Sequence, residues 1–339
     1  MSKVLVTGGT GFIASHCIQE LLARGHQVIT TVRSHEKGKK VLSMHPAPAG
    51  TSLTYRIVED VAQPGAFHEA VNSPNLMYVI HTTSPFHYNV QNPVKDMLEP
   101  AVNGTTSILQ AVKQNALSVK RVVLLSSFAA MRDDAQKPPP TYDESYWNPV
   151  TWEEAASNSK KTYQGSKTLS EKAAWDFMRN EKPGFELTVI CPSLVFGPPN
   201  LAEGELASLN TSNVRILDML QGKMKDNLQP TGFYTWVDVR DVANAHIRAL
   251  EAPQAAGKRF FLIAGYFTNK DIAQLIINRY PEFAAKLPAN LHGLAEDIPS
   301  MVDRYKYDNS QSKQVLGVRY RPLSESINDT VKILLELGA

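Results

Sequence analysis

Tyr163-Gln164-Gly165-Ser166-Lys167 sets a phenol and an ammonium four residues apart. On a helix that spacing puts both groups on one face, a turn apart. A free phenol ionises near pH ~10, too high for easy proton exchange at neutrality. A neighbouring ammonium favours the phenolate and lowers that value. Such a tyrosine can give a proton to a carbonyl oxygen as a hydride reaches the carbon. Ser126 and Ser127 end an apolar run, and a hydroxyl there can polarise the same carbonyl. Serines at strand ends also commonly satisfy backbone alone. With Tyr163 alongside, a catalytic serine is the favoured reading, and Ser127 is preferred to Ser126.

A hydride needs a carrier. The apolar residues 4–6 run straight into Thr7-Gly8-Gly9-Thr10-Gly11-Phe12-Ile13-Ala14, which opens a helical pattern. Glycines let the backbone turn tightly and approach a pyrophosphate, and a helix N-terminus offers free N–H donors to that anion. A short glycine motif alone is weak; the strand–turn–helix context makes it strong. An enzyme that takes NAD usually places an acid at the end of its second strand for the ribose hydroxyls. Here the stretch reads Thr30-Thr31-Val32-Arg33-Ser34, with no acid. Arg33 and Lys37 could instead grip a 2′-phosphate, for which the planar guanidinium is well shaped. The expected cofactor is therefore NADPH. Asp60 and Val61 follow the third strand and could contact the adenine, although an aspartate in a turn equally often caps backbone.

These groups need a scaffold to bring them together. Residues 4–6, 28–32, 53–58, 76–81, 121–125 and 187–191 read as strands, alternating with helices over 12–24, 101–114 and 160–180. That alternation argues for a parallel, doubly wound α/β sheet of the Rossmann kind. Ligands in such sheets sit beyond the carboxyl ends of the strands, which is where Ser127 falls. Residues 132–150 read as a loop, and 193–235 are irregular. The expected division is a dinucleotide-binding domain over 1–192, with 236–263 returning to it. Residues 193–235 and 264–339 form a smaller C-terminal substrate-binding lobe, closed by a capped amphipathic helix over 324–337. A second Tyr-x-x-x-Lys, Tyr266 to Lys270, is set aside. It lies at a strand-to-helix turn where Thr268 and Asp271 have the spacing of a cap. Asp238, Arg240, Asp241 and His246 read as structural, with Asp241 capping a helix over 242–250 and His246 a lone histidine at the periphery.

Bulk composition excludes several classes. A net charge of +2 over 339 residues gives no broad field for nucleic acid or membrane. No stretch approaches the roughly 20 apolar residues of a membrane span. The start does not read as a signal peptide. Cys17 and Cys191 both lie in apolar runs, which suits buried thiols in a reducing compartment and no metal site. These features point to a cytoplasmic protein; the expected form is a monomer or homodimer acting on a small molecule.

Taken together, the motifs resemble the extended short-chain dehydrogenase/reductases. Within them the chain is similar to the dihydroflavonol-reductase-like branch, and most of all to its fungal methylglyoxal and 3-methylbutanal reductases. Further stretches that carry the resemblance are His81-Thr82-Thr83-Ser84-Pro85-Phe86, Trp147-Asn148-Pro149, Glu171-Lys172-Ala173-Ala174-Trp175 and Val237-Asp238-Val239-Arg240-Asp241-Val242-Ala243. The resemblance implies that Ser127 meets the substrate carbonyl, Tyr163 acts as acid, and Lys167 holds the nicotinamide ribose. It implies NADPH contacts from Gly8, Gly11, Phe12, Ile13, Arg33, Lys37, Asp60, Val61, Tyr163, Lys167, Pro192, Val195 and Ser212. It also gives Asn103 a part in holding the catalytic helix or a relay water, with a plain structural role equally open. Phe128 and Leu194 depart from common aromatic choices in the branch. Both, with Phe86, would line the substrate pocket, and ordinary core packing is an equal reading for each. The implied activity is NADPH-dependent reduction of an aldehyde, ketone or α-dicarbonyl to an alcohol. The rival readings are an NAD-dependent sugar-nucleotide epimerase or dehydratase, and a non-catalytic NADP(H) sensor.

Overall fold

The computed structural model describes all residues except 84–89, 137–139, 203, 292–297 and 301–303. In chain order the first half runs β1 (Lys3–Thr7), α1 (Phe12–Ala23), β2 (Gln27–Val32), α2 (His35–Met44), β3 (Ser52–Ile57), α3 (His68–Val71), β4 (Leu76–His81), α4 (Glu99–Asn115) and β5 (Arg121–Leu125). Next come β6 (Thr141–Tyr142), α5 (Trp152–Ser157), α6 (Ser159–Glu181), β7 (Glu186–Pro192), β8 (Leu194–Phe196), α7 (Thr211–Leu220), β9 (Thr235–Asp238), α8 (Val239–Glu251) and β10 (Arg259–Leu262). The chain closes with β11 (Gly265–Tyr266), α9 (Asn269–Arg279), β12 (Lys306–Tyr307), α10 (Ser310–Val315) and α11 (Leu323–Glu336).

The main sheet has seven strands in the order β10-β7-β5-β4-β1-β2-β3, and every pairing in it is parallel. Its central strands are continuous apolar runs because helices cover both faces. One core lies between the sheet and α4 and α6, around Leu5, Val79, Ile108, Val122 and Val189. The other lies against α1 and α8, around Val4, Val6, Ile18, Ile80 and Ile247. The strand order reverses between β4 and β1, and a crevice opens there beyond the strand ends. A separate apolar core, including Phe196, Ile216, Leu220, Trp236, Phe267, Ile272 and Val331, joins β8 and β9 to α7, α9 and α11.

Several details differ from the sequence reading. The helix α2 and the seventh strand β10 were not expected. Residues 141–142 in the expected loop pair as β6 with β12. The cap of α8 is Asp238, which accepts from Arg240 N at 2.8 Å, and not Asp241. Asp241 instead accepts from Arg321 N at 2.8 Å. Arg240 continues to Asp329 at 2.6 Å, so the cluster ties α8 to α11. His246 is fully buried rather than peripheral, bonded at Nδ1 to Val242 O, and burial lowers its pKa to about 4. The helix α11 starts after Pro322 and has no side-chain cap. Thr268 and Asp271 do form the reciprocal cap of α9.

Candidate functional site

The turn after β1 is shaped by its glycines. Gly8 has φ +72°, and a Cβ there would come within 2.7 Å of Thr83 Oγ1. A Cβ on Gly9 would collide with Thr30 at 2.3 Å. Gly8 N donates to Thr31 Oγ1 at 3.0 Å, and Gly9 N to Thr31 O at 3.0 Å, which pins the turn to β2. Gly11 precedes α1, whose start has no side-chain cap and no acid in its first turn. Its free N–H groups therefore face the crevice unneutralised. Thr83 Oγ1 is buried beside them with no hydrogen-bond partner. An uncapped helix start, a close-approach glycine and an orphaned hydroxyl together fit a dinucleotide pyrophosphate.

A cavity of about 1080 Å³ follows this turn across the strand ends. Gly8, Gly11, Phe12 and Ile13 line one stretch of it; Arg33, Lys37 and Val61 line another. Arg33 is exposed just past β2, and Lys37 sits in the first turn of α2, capped by Ser34. Pro192, Leu194, Val195 and Ser212 line the side formed by β7, β8 and α7. The Ser212 hydroxyl donates to Val195 O, which fastens α7 to β8. Asp60 is not on the wall. Its carboxylate accepts from Ala62 N at 2.9 Å and Gln63 Nε2 at 3.0 Å, and these bonds lower its pKa. Phe128 is not on the wall either. It is fully buried and packs edge-on against Phe233, which is. Asn103 is exposed on α4 and does not line the cavity. Phe86 lies outside the described residues.

Tyr163 and Lys167 lie on α6, and both line the cavity with Ser127. Gly165 between them is needed for packing, since a Cβ there would sit 2.2 Å from the Ala155 Cβ of α5. Lys167 is buried, and burial alone lowers its pKa to about 8. His81, at the end of β4, is held to about 3 by burial and then by the Lys167 charge. Thr7 Oγ1 accepts from Thr82 N and Thr83 N, so its own proton goes to His81 Nδ1 at 3.0 Å. The proton of the neutral His81 ring is then on Nε2, which is buried without a hydrogen-bond partner.

The two serines differ. Ser126 Oγ donates to Glu171 Oε2 at 2.6 Å in a buried bond. Ser127 Oγ accepts from Ala129 N at 3.1 Å, leaving its proton for another acceptor. Sequence reasoning missed Thr83, Arg132, Gln164 and Phe233 on the cavity wall. Gln164 was in plain view beside Tyr163; Arg132 lay in a stretch read as loop, and Phe233 in the irregular stretch assigned to the substrate lobe with that residue not singled out. Neither Tyr266 nor Lys270 lines the cavity. Among the described residues, no group of three or more His, Cys, Asp or Glu could hold a metal ion. No helix among them is long and apolar enough to cross a membrane.

Fold and crevice define a Rossmann dinucleotide-binding protein. The family described as NAD dependent epimerase/dehydratase matches residues 4–264. The chain belongs to this family, that of the extended short-chain dehydrogenase/reductases. It is 46% identical over 336 residues to the ketoreductase azaE of Aspergillus niger, covering 98% of each chain. It is 34% identical over 341 residues to the NADPH-dependent methylglyoxal reductase GRE2 of Saccharomyces cerevisiae, again covering 98% of each. The crystal structure of Gre2 from Candida albicans in complex with NADPH superposes with a TM-score of 0.89 at 36% identity over 100% of both chains.

Proposed function

We propose that this chain is an NADPH-dependent reductase of aldehydes, ketones or α-dicarbonyls. One observation carries the reading. A single cavity joins an uncapped helix start, two cations past β2, and a wall bearing Ser127, Tyr163 and Lys167. The named activities of azaE and GRE2 and the NADPH of the Candida albicans structure support it.

In this reading Gly8, Gly11, Phe12 and Ile13 hold the pyrophosphate, while Arg33 and Lys37 hold the 2′-phosphate. Val61 faces the adenine; Pro192, Val195 and Ser212 shape the nicotinamide side. When bound, the cofactor supplies the hydride. Ser127 gives a hydrogen bond to the substrate carbonyl oxygen. Tyr163 gives that oxygen its proton, helped by the ammonium of Lys167 on the same helix face. Residues 193–235 and 264–339 make the substrate lobe around their own core, with Leu194 facing the substrate. We place the protein in the cytoplasm, as a monomer or homodimer acting on a small carbonyl compound; its two free buried cysteines suit a reducing compartment.

The test is steady-state oxidation of NADPH, with NADH in parallel, over small aldehydes, α-dicarbonyls and bulky aryl ketones. Turnover favouring NADPH is expected. Tight NADPH binding with no turnover would mean a sensor, and protein purified with bound NAD would mean an epimerase.

A further inference from the structure

Arg132 brings a cation to the same cavity wall as Tyr163, Gln164 and Phe233. Its side chain is only 19% exposed, and its guanidinium lies 4.6 Å from the centroid of the Phe233 ring. Two of its nitrogens hold one carboxylate: Nε to Asp134 Oδ1 at 2.8 Å and Nη2 to Asp134 Oδ2 at 3.0 Å. Gln164 Nε2 adds a third donor to the same Oδ2 at 3.0 Å. The donors and the acceptor are unequally placed. Arg132 is largely buried against an aromatic face, whereas Asp134 is 57% exposed and only two residues away along the chain.

A planar fork on both oxygens with an amide on the flank is the donor set of a built carboxylate site. The Asp134 carboxylate, more than half exposed, can turn out to water and keep its hydration there, which offsets part of the cost of leaving the bidentate pair. The guanidinium, packed on Phe233, cannot follow it. Lys160 also lines the cavity, one turn ahead of Tyr163, and adds to the positive field there. We propose that Asp134 is a stand-in. Arg132 and Gln164 form a carboxylate subsite, so the preferred substrates are oxo acids whose carboxylate lies away from the reacting carbonyl. The spacer between the two groups lies along Phe233. This proposal rests on the reductase reading.

The experiment measures kcat/KM, by NADPH oxidation, for a homologous series of ω-oxo carboxylates, each beside its methyl ester. At the best chain length the carboxylate should exceed its ester about tenfold, equal to about 1.4 kcal/mol. Arg132→Met should bring that ratio to about one, and Asp134→Asn, which removes the competitor, should raise it. The ratio is internal to each variant, so a general loss of activity does not blur it. If Arg132→Met fails to fold, the wild-type ratio and the Asp134→Asn shift decide. A wild-type ratio at or below one at every length, or a ratio unmoved in the variants, overturns the subsite while ester turnover leaves the reductase reading intact. No turnover of any ester or carboxylate overturns the subsite, and it overturns the reductase reading too only if the small aldehydes, α-dicarbonyls and aryl ketones named above are equally inert.

Discussion

Removing the Glu171 carboxylate should loosen the wall behind Ser127 and Tyr163 and cost much of the protein's stability. Glu171 is fully buried on α6, four residues past Lys167 and eight past Tyr163. Its oxygens accept from Ser126 Oγ at 2.6 Å, Arg259 Nε at 2.6 Å and Trp175 Nε1 at 3.2 Å. Arg259, itself 8% exposed, also donates to Glu144 O and Tyr146 O and lies 3.9 Å over the Trp147 ring. In Glu171→Ala the guanidinium stays buried with carbonyls and a ring but no counter-charge, which costs about 3–5 kcal/mol. The Ser126 hydroxyl, left without its acceptor, adds about 1 kcal/mol. Unfolding entropy is about 2.1 cal/mol/K per residue, so this chain has about 0.7 kcal/mol/K and Tm should fall by about 6–8 °C. Ser126 adjoins Ser127, and misplacement of a catalytic group by ~1 Å can cost about a hundredfold. We expect kcat to fall at least tenfold, by about 1.4 kcal/mol of barrier, with NADPH affinity little changed. Calorimetry and NADPH turnover read the two effects separately. Glu171→Gln, which keeps an oxygen for Ser126, should recover part of kcat but little of Tm. A Tm within about a degree of wild type would refute the buried-charge argument. A lowered Tm with kcat intact would show that the network only holds the fold together.

Three further outcomes follow from the site. Tyr163→Phe should lower kcat/KM by about 10²–10⁴-fold while NADPH still binds; retention of more than about a tenth of the activity refutes the acid role. Arg33→Asp should weaken NADPH about a hundredfold and NADH only slightly, by fluorescence titration, since charge-assisted phosphate bonds are lost and a repulsion is added. Equal losses for both cofactors would remove the clamp. In the free protein burial lowers Lys167 from 10.5 to about 8. The anionic phosphates of a bound dinucleotide raise it again, so binding takes up a proton at about pH 9 and affinity falls as pH rises through about 8 to 10. Calorimetry in two buffers of different ionisation heat should show that uptake, and its absence would contradict the placement. The same depression acts on stability. The unfolded chain takes the proton first, so Lys167's contribution is full above 10.5 and is lost as pH falls through about 8.

What the sequence could reveal depended on the range of the deciding interaction. β4 and β5 were legible to the residue, because each is a short apolar run bounded by turn-forming or polar residues. The i, i+4 spacing of Tyr163 and Lys167 is local and was equally plain. The helix α2 was hidden. It carries four Lys or His side chains, buries only Gly38 and Val41, and needs Gly38 because a Cβ there would strike the Tyr55 ring at 2.5 Å. The strand β10 depends on pairing with β7, some seventy residues earlier, which no local pattern announces. Asp238 and Asp241 are both good caps in isolation. The end of β9 at Asp238 decides between them. The choice between Ser126 and Ser127 likewise rests on Glu171, which resembled only a family stretch until α6 was placed against β5.

The site and its support obey opposite rules for buried polar groups. Behind the wall, Glu171 has a donor on each oxygen and Arg259 has an acceptor on each side, a fully satisfied network of the kind that fixes one arrangement. On the wall, three polar features lack such partners. Lys167 is desolvated enough to shift its pKa, Thr83 Oγ1 has no partner, and the start of α1 has no cap. Each such group costs stability in the free protein and is repaid only by something that enters the cavity. One helix face carries both kinds, with Tyr163 and Lys167 toward the cavity and Glu171 one turn further into the core. A rigid, satisfied anchor lets the unsatisfied groups keep their positions instead of collapsing onto one another. By the same reasoning the Arg132–Asp134 pair sits between the two classes: its donors are fixed as in the support, while its acceptor is exposed and replaceable as the contents of a site must be.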